Sequence, residues 1–242
     1  MIFFGIQYFR YGRFVGGLPP VPPWAPGGVA GAYVAGILLV AGGLSILTGK
    51  MARCGAALIG IFFLLCVVVL HGPRIHGILY SGVDRTRAFE PLALCGAAFA
   101  LISTVPRDRK ISAPSASTSD WVTPMGRWLF ALSMIVFGVQ HFLYAAFIAT
   151  LIPSWIPAHL FCVYFTGTGM IVAGLAILAK VLGRLAATWL GIMFLLWVVV
   201  LHVPRAVAAL HNGDEWNSAF VALAFSGASF IVAQTLRDSS ST

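Results

Sequence analysis

The chain has 242 residues, 60% of them apolar and only 9% charged, with a mean hydropathy of +0.94 and a formal net charge of +8. Soluble domains carry roughly 25% charged residues, so this composition excludes a soluble globular protein and describes an integral membrane protein in a lipid bilayer. The 15 lysines and arginines stand singly at the ends of apolar runs, as interface anchors and topology signals do, and form no basic stripe of the kind that binds nucleic acid.

A membrane-crossing helix needs about 20 predominantly apolar residues. By that measure helices are predicted near 1–16, 30–48, 54–71, 87–105, 125–150, 160–179, 184–203 and 216–236, an all-α membrane fold of about eight transmembrane helices. The first carries Phe4-Gly5-Ile6-Gln7-Tyr8-Phe9 at the start of the chain, whereas its later counterpart has about a dozen residues ahead of the same motif. The opening helix is therefore short or truncated, or the reading frame starts upstream of Met1; no small-residue cleavage site marks a signal peptide. Pro22-Pro23-Trp24-Ala25-Pro26 then reads as an interfacial loop or short re-entrant segment with its indole at headgroup depth. The third helix is expected to end on His71-Gly72-Pro73-Arg74 after a valine-rich run. A proline stops a helix there, and an arginine can meet the last carbonyls and snorkel to the headgroups. In the fourth helix Glu90 is the only carboxylate close to a helix interior.

Arg107-Asp108-Arg109-Lys110 and the small-residue stretch 112–119 have the composition of a flexible linker. Beyond it the chain repeats itself at a period of about 131 residues, a whole-domain duplication. Phe137-Gly138-Val139-Gln140-His141-Phe142 answers the first motif, Pro153-Ser154-Trp155-Ile156-Pro157 the proline loop, and Leu201-His202-Val203-Pro204-Arg205 the end of the third helix. Gly36, Gly43, Gly60 and Gly96 return as Gly167, Gly174, Gly191 and Gly227, positions suited to close approach of membrane helices. The domain reading is 1–106 for a first four-helix repeat, 107–122 for the linker and 123–238 for a second. An even number of crossings makes the halves parallel repeats about an axis along the membrane normal. Nine cationic residues against six favour termini and linker in the cytoplasm.

The retained polar groups all fall on the outer side. His71 and His202 follow uninterrupted apolar runs, where an ionisable group implies a partner, water or ligand. Gln7 and Gln140 suit helix-to-helix hydrogen bonding, and His141 stands where the first half has Tyr8. A ligand site in the second half would be lined by Gln140, His141, His202 and Arg205 with Trp155 as a stacking wall; Gln7, Trp24, His71 and Arg74 are the first-half equivalents. Haem ligation by His71 and His202 is conceivable at equal depth, but nothing in the sequence brings the rings together, and no haem is expected. Cys54, Cys66, Cys95 and Cys162 form no close pair and read as small buried residues, so neither a disulfide framework nor a metal site is expected.

The unit running from Phe137-Gly138-x-Gln140-His141-Phe142 through Pro153-x-Trp155-x-Pro157, Tyr164-Phe165-Thr166-Gly167 and Ala173-Gly174 to Leu201-His202-x-Pro204-Arg205 resembles the DoxX and DoxD-like family of small bacterial membrane proteins. The match covers most of the second half and the first from about Phe4, so the chain looks like a tandem fusion of two such units. The resemblance implies a subunit of a membrane redox assembly in the bacterial inner membrane, with partner subunits. It also implies a quinone headgroup near His202, Arg205 and Gln140. The chain departs from that chemistry in lacking a cysteine pair. It also lacks a self-contained catalytic constellation, which leaves at most an accessory oxidoreductase subunit. A structural subunit that anchors a larger membrane complex is the alternative, and a carrier working between parallel repeats a third.

Overall fold

Lipid offers no hydrophobic drive for one helix to prefer another, so membrane helices associate through small residues and interhelical hydrogen bonds. The computed structural model shows that pattern throughout. It describes residues 1–14, 28–105 and 116–236, with side chains from Trp121 onward in the last segment. Trp24 with its proline loop, and the charged stretch Arg107 to Lys110, lie outside the described residues.

Every regular element among the described residues is helical. In chain order these are α1 (Ile2–Tyr11), α2 (Gly28–Thr48), α3 (Ala52–Leu65), α4 (Ile75–Tyr80), α5 (Gly82–Leu101), α6 (Ala116–Leu143), α7 (Ala145–Ala149), α8 (His159–Ala179), α9 (Gly183–Trp197), α10 (Val203–Ala208) and α11 (Gly213–Thr235). Six stretches are long and apolar enough to cross a membrane: 28–48, 52–80, 121–143, 159–179, 183–208 and 213–235. The ten residues of α1 rise only about 15 Å at 1.5 Å per residue. The 20 residues of α5 carry Asp84, Arg85, Arg87 and Glu90 in their first half. Large apolar side chains face outward along the helices, Leu47 at 74% and Phe161 at 67% exposure among them, as lipid contact requires.

The third and seventh predicted helices do not stop at their His-x-Pro-Arg turns. Helix α3 runs through a π-helical segment, Cys66–His71, and a 3-10 turn, Gly72–Arg74, into α4. Likewise α9 runs through a π-helical segment, Val198–His202, into α10. In both, the closing bond spans five residues, from the Gly72 N–H to the Val67 carbonyl and from the Val203 N–H to the Val198 carbonyl. A proline has no N–H to donate, and its ring clashes with the carbonyl four residues back. Widening the turn just before Pro73 and Pro204 lets the chain continue as helix. Of the predicted linker 107–122, the part from Ala116 is helical as the start of α6.

Helix α5 sits at the centre, packed by α3, α6 and α11, and its residues from Ala93 to Leu101 are all buried. Glycine pairs bring backbones together on matching seams. A Cβ at Gly5 would lie 2.7 Å from the Gly36 carbonyl oxygen, and one at Gly138 would lie 2.6 Å from that of Gly167. The halves also cross over. Gly82 at the start of α5 packs under the Tyr144 ring, and Gly213 at the start of α11 under the Tyr11 hydroxyl.

Candidate functional site at the His-Pro-Arg end

Each His-x-Pro-Arg turn delivers its side chains to one end of the bundle, where α5 and α11 begin. Ser81 caps α5 by accepting from the Asp84 N–H at 3.2 Å, and Asn212 caps α11 by accepting from the Asp214 N–H at 3.0 Å. These caps place an acid in the first turn of each helix, where the positive end of the helix dipole favours it. Asp84 and Glu215 occupy the same place in the repeat.

In the second half, Arg205 Nη2 donates to Glu215 Oε1 at 2.8 Å. His202 lies within electrostatic reach of both charges. Two buried atoms here have no hydrogen-bond partner among the described residues, His202 Nδ1 and Glu215 Oε2. Arg205 also forms one wall of an open cleft of about 560 Å³ with residues 149–154 and His159. The imidazole Nε2 of His159 lies 3.2 Å from the Pro153 carbonyl and ties the cleft's loop to the start of α8.

The first half repeats the parts but not the pairing. His71 Nε2 is buried and likewise without a partner among the described residues. Asp84, Arg74 and Arg87 all lie within electrostatic reach of the ring. Asp84 Oδ2 rests against α4, where a Cβ at Gly77 would approach it to 2.6 Å. The only ion pair among the described residues is that of Arg205 with Glu215.

The other expected lining residues separate into different environments. Gln140 Nε2 donates to the Gly82 carbonyl at 2.9 Å and lies 3.1 Å from Thr86 Oγ1. Its amide thus stitches α6 to α5. Gln7 is buried at the matching place in α1, and Asn217, in the position of Thr86, is buried in α11. His141 Nδ1 lies 2.8 Å from the Phe137 carbonyl one turn back. Its ring stacks on Trp197 at 6.0 Å between centroids. Trp197 meets Phe194 edge-on, and Phe194, Phe225 and Phe137 continue the aromatic cluster between α6, α9 and α11. Trp155 is 66% exposed on the loop before α8.

Sequence reasoning placed His202 and Arg205 together but overlooked Asp84, Glu215, Thr86 and Trp197. The signal for the acids was available, since extending the repeat past Arg74 and Arg205 aligns Gly82-Val83-Asp84 with Gly213-Asp214-Glu215. Trp197 had no such signal, because its first-half equivalent is Cys66. Among the described residues no group of three or more His, Cys, Asp or Glu side chains could hold a metal ion, and the four cysteines are free. The end of the bundle therefore offers a guanidinium, imidazoles and a carboxylate, a set able to donate to and accept from a polar ligand. Comparison with known protein families, with curated proteins and with solved structures returned no match to this chain.

Proposed function

We propose that the protein is a DoxX-like subunit of a membrane redox assembly, built as two parallel four-helix repeats that together cross the membrane eight times. Helix α1 and the charged helix α5 complete the count in this reading, and the His-Pro-Arg end faces outward. The second-half cluster then holds a quinone headgroup. The observation that carries this reading is a pair of buried polar atoms without a partner among the described residues, His202 Nδ1 and Glu215 Oε2, beside Arg205 at the mouth of a cleft. Leaving such atoms unmet costs about 1–3 kcal/mol each, a cost that a ligand with both donor and acceptor capacity relieves. A quinone fits this set in its oxidised form by accepting from Arg205 and His202, and in its reduced form by donating to Glu215. It would supply two-electron, two-proton redox chemistry. The chain's own part is to orient the ring and offer proton-bearing groups at His202 and Glu215.

The competing reading is a scaffold that anchors a larger complex, and the Gln140 stitch between α6 and α5 favours it. One preparation separates the two. Protein purified in mild detergent from its native membrane should carry near-stoichiometric quinone by solvent extraction and mass spectrometry, lost in His202→Ala with thermal stability retained. Stable partner proteins with no quinone in the wild type would establish the scaffold instead.

A further inference from the structure

The duplication provides an internal control on a single arginine. Arg205 is held by Glu215 at 2.8 Å, whereas its equivalent, Arg74, is exposed and makes no ion pair among the described residues. The first half then adds cations that the second half lacks. Arg85 and Arg87 stand where the second half has Trp216 and Ser218, and the second half carries Asp214 where the first has Val83. Arg85 is engaged, donating to the Ile78 and Leu79 carbonyls that end α4. Arg87 is exposed like Arg74, and both lie within electrostatic reach of His71, whose Nε2 has no partner among the described residues. The acids beside these arginines are Asp84 and, one turn after Arg87 and within its electrostatic reach, Glu90; with Arg74, Arg85 and Arg87 against them the net charge is still positive. The second-half cluster of Arg205, Asp214 and Glu215 is net negative.

Beside these arginines the first half exposes apolar surface. Ile75, Leu79, Tyr80 and Val83 are 59–79% exposed. At the place of Ile75 the second half has Ala206, fully buried. Two exposed guanidinium groups with no ion pair among the described residues, next to an exposed apolar face, match a molecule with an anionic head and hydrocarbon chains. The phosphate of a phospholipid accepts charge-assisted hydrogen bonds from arginine, and its acyl chains can lie along α4.

We infer that Arg74 and Arg87 form a binding site for the phosphate headgroup of an anionic phospholipid, present in the first half and absent from the second. The inference rests on charge and exposure at α4 and α5, so it stands whether or not quinone binds the other half. The test uses the full chain, delipidated in mild detergent. Thermal unfolding and native mass spectrometry are recorded with added phosphatidylglycerol, with phosphatidylcholine and with inorganic phosphate.

Phosphatidylglycerol should raise the unfolding temperature and remain bound, and phosphatidylcholine should do neither. The double variant Arg74→Gln/Arg87→Gln should bind phosphatidylglycerol about 30-fold more weakly, from roughly 1 kcal/mol per arginine. Arg74→Lys/Arg87→Lys should retain most of the binding, and Arg205→Gln should retain all of it. Equal effects of the two lipids, or undiminished binding in the glutamine variant, would overturn the site. So would loss in Arg205→Gln. Full stabilisation by inorganic phosphate alone would replace the lipid with a free oxyanion and overturn the lipid assignment.

Discussion

Gly96 and Gly227 are repeat equivalents with opposite surroundings, so the same alanine substitution should give opposite results. A Cβ at Gly96 would stand 2.5 Å from the Gly126 carbonyl oxygen and 2.7 Å from the Phe130 nitrogen. Both obstacles are backbone, which cannot swing aside as a flexible side chain does. Relief to an ordinary 3.4 Å contact requires α5 and α6 to part by close to an ångström along a seam that buries α5 from Ala93 to Leu101. Overpacking of this kind costs about 1–3 kcal/mol. At Gly227 nothing beyond the helix's own adjoining backbone lies within 4 Å of the added Cβ, and glycine inside a helix is about 1 kcal/mol worse than alanine. Gly96→Ala should therefore lower the thermal unfolding midpoint in detergent by several degrees and reduce the monodisperse fraction on size exclusion. Gly227→Ala should match or exceed the wild type. Equal losses, or a larger loss at Gly227, would refute the reading that backbone crowds Gly96 at the α5–α6 seam and leaves Gly227 open.

Gln140→Leu removes the bonds to Gly82 and Thr86 and should cost about 0.6–1.7 kcal/mol, the range for polar contacts between membrane helices. An unchanged unfolding midpoint in detergent would mean the amide is not a stitch. Arg127→Ala should fray the end of α11. Arg127 Nε donates to Thr235 Oγ1 at 2.9 Å and its guanidinium also caps the Thr235 carbonyl; limited proteolysis should cut sooner near Thr235, and an unaltered pattern would count against the cap. Glu215→Gln frees an arginine whose side chain is 34% exposed, and a partly exposed ion pair contributes about 1 kcal/mol or less. The unfolding midpoint should fall little, and a loss of many degrees would show the pair to be a structural keystone.

The π turns show how local sequence and tertiary structure divide the work. The valine run ending in His-x-Pro-Arg is legible as a helix meeting a proline, and a stop is the ordinary outcome. Instead the turn widens and the helix continues to Tyr80 and to Ala208. Gln140 illustrates the same limit for the site. Its place on a membrane helix is readable, and helix-to-helix bonding is the common fate of such an amide, but only the packing of α6 on α5 shows that Gly82 and Thr86 receive it.

The sequence by itself determined the multi-pass membrane class, the approximate places of the long apolar helices, the repeated motifs and the histidine at the end of each valine run. Each follows from hydropathy or from matching letters at one offset, which are properties of residues taken one at a time. Tertiary structure decided which equivalent positions are equivalent in fact: Gly96 is crowded and Gly227 open, and Arg205 is paired while Arg74 is not. These differences depend on which backbone or carboxylate lies opposite, a matter of helix crossing and facing. Two copies of one motif cannot carry that information, because each copy meets different neighbours once both halves share a single fold.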